Sequence, residues 1–427
     1  MKWIICSLAL LGAVTIQAQN VSVSPYSSMG IGEQLYNNNP EIGGMGGITT
    51  VPTNPYGQSA NFSNPAANQN IRMTSFNVSA RADNNTFESG SDKVTAGTFK
   101  LSNISLAFPV SKSSTFGMGF QPYSSVGYHV YNSTERGDLK TTSNMNGKGG
   151  VNSLHAFYNR NIADGLSIGL RANYLFGKIE KSEKTTVEGA SLLSDYNIKS
   201  NLRGLQFTVG SMYRKKINKN NNLYVGAYYT LGSNLRTDLT DMTSTYTYAG
   251  TNLSTVDTVS YKRNDDLKTK LPHTFALGAA YTKDNNWSIS GEARLNTWSN
   301  FEKASFGQNS SVENNTEYKN NYYLALGGYW IPDHNSYRSY FNRVIYRAGV
   351  YYETAPYSIY GTDINRYGVT VGAGLPIGKS NDGSTLNLSL EYGQKGSSSN
   401  GLIKENYLGF KIGFDINDIW FRKRVID

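Results

Sequence analysis

The sequence predicts an all-β protein: a transmembrane antiparallel β-barrel of about 14 strands with an N-terminal hatch segment inside its lumen. Three observations support this prediction. Polar and apolar residues alternate along many segments, the number of these segments is even, and the connections between them are alternately short and long. Outer-membrane barrels share these features, because one face of each strand meets lipid and the other meets the lumen.

The first residues have the layout of a cleaved secretory signal. Lys2 precedes an apolar run from Trp3 to Ile16, which small and polar residues follow. This run is shorter than the ~20 residues that a membrane-spanning helix needs. We therefore predict a signal peptide at residues 1–18, a hatch segment at residues 19–70, and a barrel at residues 71–427 that ends in a short periplasmic tail.

The composition argues against several kinds of site and partner. Cys6 is the only cysteine and lies in the predicted signal, so the mature chain offers no disulfide, thiolate metal site or cysteine nucleophile. The 40 Lys and Arg residues are scattered along the chain, which does not favour nucleic-acid binding. His, Asp and Glu show no metal-ligand spacing, and we expect no metal or cofactor. The 31 Tyr and 17 Phe residues suit a barrel that faces lipid.

Alternation with a period of two identifies the strands. Between Leu166 and Phe176 the even positions hold Leu166, Ile168, Leu170, Ala172, Tyr174 and Phe176, whereas Ser167, Gly169, Arg171 and Asn173 lie at odd positions, so the two sets face opposite sides of a strand. The same pattern recurs at Thr385–Tyr392 and Tyr407–Ile416. Candidate strands begin near residues 71, 98, 113, 149, 164, 199, 220, 271, 285, 318, 342, 366, 382 and 403. Strands this long favour a membrane barrel over a soluble sandwich.

The connections indicate the orientation of the barrel. Long gaps follow odd-numbered strands, at 83–97, 132–148, 183–198, 236–270 and 303–317, and short turns follow even-numbered ones. Since outer-membrane barrels have short periplasmic turns, we expect both termini on the periplasmic side of the outer membrane of a Gram-negative bacterium. One connection, Pro332–Asn342, is longer than a periplasmic turn should be.

The stretch Gly43–Asn68 precedes the first alternating strand and carries no charge. Gly44, Gly46 and Gly47 do not form a nucleotide-phosphate loop, because no Lys-Ser/Thr follows and no apolar strand precedes them. The lack of charge favours a segment that folds back into the lumen, where Asn, Ser and Gly supply compact turns and local hydrogen bonds.

Pro122 lies inside a segment that otherwise resembles one long strand, the third of the series. Proline cannot donate to the ladder, so it marks a bulge, a kink or a break. The alternative is a turn between two strands. Because the apolar residues before and after Pro122 keep the same parity, we predict a kink at Phe120, Pro122 and Tyr123.

One pair of inward-facing residues could support catalysis. Ser153 and His155 lie two positions apart on one strand face, an arrangement that could combine a nucleophile with a base. Polar residues are expected at every second position of a lumen wall, and we therefore predict a protein that is not an enzyme.

Charged residues also share inward faces. Glu292 and Arg294 lie on one strand, and Arg347 and Glu353 on another. Such neighbours mostly neutralise each other, because an unpaired charge in a partly dry lumen is costly. Contact of Arg294 or Arg347 with a ligand carboxylate is the alternative.

Several segments together resemble the FadL-type outer-membrane transporters. The segments are Leu271–Phe301, Tyr346–Ser358 followed by Arg366–Ile377, and the N-terminal Gly43–Gly47 with Asn64, Pro65 and Ala66. They occur in the family's order from about residue 40 to residue 416. The segment before them, at Ser24–Asn38, departs from the family.

The resemblance implies a fourteen-stranded barrel that carries long-chain fatty acids or other hydrophobic compounds. It implies that Gly44, Gly46, Gly47, Asn64, Pro65 and Ala66 belong to a hatch that plugs the lumen. A kink in the third strand, here at Pro122, would open a lateral path to the lipid.

Three hypotheses follow. The first is passive uptake of small hydrophobic molecules with lateral exit near the third strand. The second is a barrel that does not transport and serves as a subunit of a secretion or envelope assembly complex, with a filled lumen and a stable protein partner. The third, which we disfavour, is an envelope-lipid hydrolase. The expected partners are a lipid or hydrophobic small molecule, outer-membrane lipids and lipopolysaccharide, and a protein in the second case.

Overall fold

The structure is a computed structural model that describes residues 22–35, 39–56, 59–137, 139–249, 252–305, 315–377 and 383–420. The predicted signal peptide at residues 1–18 lies outside these ranges. No helix in the described ranges is long and apolar enough to cross a membrane.

A closed antiparallel barrel of fourteen strands forms the described part of the chain, as the sequence predicts. The strands are β1 Thr74–Ser89, β2 Asp92–Ser111, β3 Ser114–Arg136, β4 Leu139–Ala163, β5 Leu166–Val187, β6 Leu193–Lys216, β7 Asn221–Thr230, β8 Thr274–Lys283, β9 Trp287–Asn296, β10 Asn321–Trp330, β11 Ile345–Glu353, β12 Arg366–Pro376, β13 Thr385–Lys395 and β14 Lys404–Asp418. Neighbours in sequence pair with each other, and β1 pairs with β14 from Thr74 opposite Asp418 to Glu88 opposite Lys404, which closes the ring.

Smaller elements complete the described chain. They are the short strands Glu33–Gln34, Thr316–Tyr318, Tyr357–Ile359 and Thr362–Asp363, the hairpin Asn234–Ala249 with Asn252–Lys270, the helix α1 Pro40–Gly43, and the 3-10 turns Pro25–Ser28, Pro65–Asn68, Trp298–Asn300, Phe341–Arg343 and Ser399–Gly401.

The period-two pattern sets which side chains face lipid. In β5, Leu170 is 61% exposed on the outer face, whereas Ser167 is fully buried on the inner face. The outer faces of the other strands carry exposed Leu, Val, Ile and aromatic residues in the same way. The barrel is therefore apolar outside and polar inside.

Most of the predicted long loops are strands, which corrects the sequence analysis. Residues 83–97, 132–148 and 183–198 lie largely in β1 to β6, with tight connections between the strands. The ladder continues beyond the apolar band, where both faces are polar and the alternation of hydropathy ends. The gap at 236–270 lies in the hairpin, whose first strand pairs with the Leu193–Arg203 half of β6.

The two ends of the barrel differ only in part as the gap lengths predict, because the connections after β1 and β3 contain two residues each and the one after β5 contains five. Short connections of two to four residues follow β2, β4, β6 and β8 at one end. The connection from β10 to β11, which contains Pro332–Asn342, is long despite lying at this short-turn end. Thr74 and Asp418 pair at the same end, whereas Ser22 lies beside Gly127 in the half of β3 that leads towards the long connections.

Candidate functional site

Two N-terminal stretches lie inside the ring of strands. The inner segment consists of residues 39–56 and 59–71, and the strap consists of Ser22–Leu35. Most side chains of both are buried against the inward faces of the strands. These two stretches and the side chains that hold them therefore occupy the lumen.

Local hydrogen bonds shape the inner segment. The Asn39 side chain accepts from Glu41 N and caps α1, and the Asn64 side chain accepts from Ala66 N and caps the 3-10 turn that starts at Pro65. Asn68 accepts from Asn61 N and donates to Asn61 O, both at 2.7 Å. The asparagines thus satisfy backbone groups that have no ladder partner.

Glycines let the inner segment approach the barrel wall. Gly46 and Gly47 have φ of +68° and +79°, values that other residues rarely adopt. A Cβ on Gly46 would lie 2.9 Å from Val350 O, and one on Gly349 of β11 would overlap Gly46 N. Gly44 packs against Gly372 of β12 in the same way. Backbone therefore packs on backbone along these strands.

Glu292 and Arg294 of β9 bind the inner segment directly. The Glu292 carboxylate accepts from Thr49 N at 2.5 Å and from Thr50 N at 2.8 Å, and it is in contact with Arg294. Arg294 donates to Thr49 Oγ1 at 3.1 Å and lies over the Tyr323 ring, 4.7 Å from its centre. The pair is fully buried, and it does more than the mutual neutralisation that the sequence suggests.

Arg347 of β11 forms a second attachment point. Its Nη2 lies 3.6 Å from Glu41 Oε1, and its Nη1 donates to Asn387 Oδ1 at 3.0 Å. Asn54 also donates to Glu41, at 2.8 Å, which joins the two ends of the stretch 39–56. Glu353, the expected neighbour of Arg347, instead pairs with Arg366 at 3.7 Å.

Asn64, Pro65 and Ala66 contact the opposite wall. Asn64 Nδ2 donates to Ser211 O at 3.2 Å, and Ala66 O accepts from Ser167 Oγ at 2.8 Å. The inner segment therefore reaches from β5 and β6 to β9, β11 and β13.

A dense charge cluster fills the lumen next to β1, β12, β13 and β14. Glu391 pairs with Arg81 at 3.1 Å, with Arg366 at 2.7 Å and with Lys411 at 3.5 Å. Tyr351 donates to the same carboxylate at 2.5 Å. The cavities beside the cluster measure about 60 and 50 Å³, which is room for a few water molecules each.

The ladder between β2 and β3 is incomplete. Pairing runs from Ser111 opposite Ser114 to Ile104 opposite Phe120 and ends there. Pro122 and Tyr123 follow at once, with a register shift towards β4 between Pro122 and Ser124. The residues predicted to form a kink thus stand where the β2–β3 seam opens.

The strap covers the open edge of β3. Glu33 and Gln34 pair with Ser125 and Ser124, and Leu35 N donates to Tyr123 O at 3.1 Å. This short strand takes the place that β2 leaves.

Ile31 of the strap fills an apolar site on the inner wall. It is 2% exposed and packs in a cluster with Val126, Val151, Leu175, Leu202, Leu235, Leu271, Trp298 and Phe301. Sequence reasoning missed this site, because its residues are distributed over four strands and two connections.

The other end of the strap reaches β13 and β14. Ser24 Oγ donates to Glu405 at 2.6 Å, and Glu33 pairs with Lys395 at 3.2 Å. Desolvation alone would raise the pKa of Glu33, but the positive charges of Lys395 and Arg366 outweigh it and lower the pKa to about 2. The ion pair therefore holds at neutral pH. Above the strap, the projecting strands enclose an open cleft of about 1230 Å³.

The side chains of Ser153 and His155 are not hydrogen-bonded to each other. His155 is buried and packs edge-on against Phe62, with ring centres 4.4 Å apart. Neither ring nitrogen has a hydrogen-bond partner in the described part of the chain.

Solved structures with the same fold are outer-membrane channels. The CymD monoaromatic hydrocarbon channel has a TM-score of 0.56 and 13% identity, covering 89% of this chain and 97% of its own. The Pseudomonas putida toluene transporter TodX has a TM-score of 0.56 and 13% identity, covering 88% and 98%. A Pseudomonas aeruginosa FadL homologue has a TM-score of 0.54 and 13% identity, covering 93% and 99%.

These neighbours are channels and not enzymes, and at this level of identity they establish the FadL-like outer-membrane barrel fold. No curated protein matches the chain. The model of the BamG family matches residues 1–427, the whole chain. The protein is a fourteen-stranded barrel of the FadL type and belongs to the BamG family.

Proposed function

We propose that this protein is a barrel that does not transport and serves as a protein-binding subunit of an outer-membrane envelope complex. The observation that carries the proposal is the filled lumen. Among the described residues, the inner segment, the strap and the charge cluster around Glu391 occupy the lumen, and the cavities beside the cluster measure about 60 and 50 Å³.

The lumen chemistry does not suit an apolar ligand. A hydrophobic molecule on a central path would have to displace Glu391 and the two arginines that pair with it, Arg81 and Arg366. Separating such buried partners costs about 3–5 kcal/mol for each pair that is broken. The apolar site on the inner wall is already occupied by Ile31.

We assign the inner segment the role of a fixed plug. In this proposal Gly44, Gly46 and Gly47 seat it on β11 and β12, and Asn64, Pro65 and Ala66 seat it on β5 and β6. Arg294 and Arg347 hold the plug, a role that leaves neither guanidinium open to a ligand carboxylate.

The projecting strands supply the surface for a partner. Strands β3 to β6 contain 22–25 residues, whereas β7 to β10 contain 10 each. At ~3.3 Å per residue and a tilt of ~40°, the extra residues rise about 30 Å beyond the shorter strands. We place this end outside the cell, with the short turns in the periplasm. The hairpin Asn234–Lys270 extends the same sheet. Apart from a bridge between Lys270 and Glu302, its second strand pairs on one side only within the described residues.

A pull-down tests the proposal. Full-length tagged protein is extracted from its native envelope in mild detergent, and copurifying proteins are identified by mass spectrometry. We expect a partner in stoichiometric amount that is lost when Asn-Gly replaces Ser244–Val259, the residues between the cross-strand partners Thr243 and Ser260. Heat-modifiable migration on gels serves as the folding control. A monodisperse protein without a partner, under conditions that preserve other envelope complexes, contradicts the proposal.

One observation favours the uptake of small hydrophobic molecules as a second candidate. The β2–β3 seam ends at Phe120, so displacement of the strap would open a lateral path from the lumen to lipid. Saturable binding of spin-labelled fatty acid, together with uptake that stops when the strap is cross-linked to β3, would support this function and contradict the first.

A further inference from the structure

A row of basic side chains lies on the outer face of the sheet, directly above the apolar band. Register pairs Arg203 of β6 with Arg236 of the hairpin, and Arg236 with Lys268 of its second strand. All three are exposed, and the side chains of Arg203 and Arg236 are 51% and 52% accessible. Like charges directly opposite each other destabilise a sheet. An anion bound to a row of three positive charges would therefore stabilise the sheet.

The protein supplies only part of that negative charge. Arg203 Nη2 lies 3.4 Å from Asp238 Oδ2, Arg236 Nε lies 3.7 Å from Asp238 Oδ1, and Arg236 Nη2 lies 3.0 Å from Asp266 Oδ1. Arg236 Nε also donates to the Asp265 carbonyl at 3.0 Å. Lys268 has no carboxylate within ion-pair distance among the described residues. Two carboxylates thus face three cations, and the row keeps a positive charge.

An apolar groove lies below this row on the lipid-facing wall. It measures about 850 Å³ and is lined on the outer face by Val209, Ser211, Ala227, Phe275, Leu277 and Ala293. Register places Ser211, Ala227, Leu277 and Ala293 at one level, so three small side chains form the hollow. Tyr229 stacks on Phe275 with ring centres 4.5 Å apart and contacts His273 at 2.6 Å, which fixes one wall.

The spacing between row and groove matches one lipid leaflet. Arg203 and Val209 lie on the same strand, with Leu205 and Phe207 exposed between them. Six residues at ~3.3 Å and a tilt of ~40° correspond to about 15 Å along the membrane normal. One leaflet of hydrocarbon is about 12–15 Å thick. An acyl chain whose headgroup lies at the row therefore reaches the groove.

We propose that this face binds a phosphorylated lipid of the adjacent leaflet, with its phosphate on Arg203, Arg236 and Lys268 and one acyl chain in the groove. In the proposed orientation this is the outer leaflet, and the lipid is lipopolysaccharide held through its lipid A phosphates. Arginine and lysine in a row suit a ligand that carries more than one phosphate.

Native mass spectrometry of the detergent-purified full chain tests the site, with purified lipid A as the probe. The triple variant Arg203→Ala/Arg236→Ala/Lys268→Ala should bind lipid A at least tenfold more weakly than the unmodified protein. The matched control Lys215→Ala/Lys219→Ala/Lys283→Ala removes three exposed cations at the short-turn end and should change the affinity less than twofold. Heat-modifiable migration confirms that each variant folds.

Two further arms separate the headgroup from the chain. The triple variant and its control should bind dephosphorylated lipid A with equal affinity. Ala227→Trp fills the groove and leaves the row intact, and it should weaken the binding of lipid A several-fold. The proposal would be overturned if the triple variant and its control bound lipid A with equal affinity, or if phosphatidylglycerol bound more tightly than lipid A. It would also be overturned if the triple variant lost a copurifying protein and not the lipid.

Discussion

Glu292 is the residue whose loss should most clearly release the proposed plug. Its carboxylate accepts from Thr49 N and Thr50 N and contacts Arg294, and both charged side chains are at most 1% exposed. Glu292→Ala leaves the arginine buried with an uncompensated charge, which costs about 3–5 kcal/mol. It also leaves two buried backbone donors without their acceptor, which costs about 1–3 kcal/mol for each donor if the inner segment cannot shift.

The attachment of the inner segment should therefore weaken by about 4 kcal/mol, because local shifts recover part of the sum. This change corresponds to a roughly thousandfold larger detached population. Hydrogen exchange of the amides around Thr49 and Thr50 should accelerate by two to three orders of magnitude, and conductance through planar bilayers should show flickering openings. The barrel strands should keep their protection, since their ladders are intact.

Two variants serve as controls for this prediction. Glu180→Ala removes a carboxylate from an exposed pair with Lys148 and Lys178, and such pairs are worth about 0–1 kcal/mol, so exchange of the inner segment should not change. Glu292→Gln/Arg294→Gln removes both charges and should be less harmful than Glu292→Ala. Unchanged exchange at Thr49 and Thr50 in Glu292→Ala would refute the assignment of this pair to plug retention.

Three further predictions concern the plug and the strap. Gly349→Val should displace the inner segment, because its side chain overlaps Gly46, and should raise antibiotic permeability while the barrel still migrates as a folded species; normal permeability would contradict close backbone packing. Gln34→Cys/Ser124→Cys should form a disulfide on oxidation, since the two residues are directly opposite and the predicted mature chain has no other cysteine; the locked protein should keep its partner, and loss of the partner on oxidation would show that the strap must move. Ile31→Asp should detach the strap by placing a charge in an apolar cluster, which limited proteolysis of the N-terminus would detect, and protease resistance equal to that of the unmodified protein would contradict the site.

Local physics explains why most of the wall was predictable. A strand that separates lipid from a polar lumen must alternate with period two, and Leu166–Tyr174 and Tyr407–Ile416 do so. The predicted start of β4 near residue 149 is ten residues late, because the Leu139–Lys148 part of the strand lies beyond the apolar band and is polar on both faces. Hydropathy reports a strand only where the two faces meet different solvents.

The sequence by itself determined the all-β class, the fourteen strands of the wall and the uncharged character of Gly43–Asn68. Each of these follows from residues close in the chain and from the solvent that each face must meet. Only the tertiary structure decided what fills the lumen. Glu292 and Thr49, Arg347 and Glu41, and Ile31 and its apolar cluster come from distant parts of the chain, and no local pattern records which inward side chain meets which partner once the ring closes.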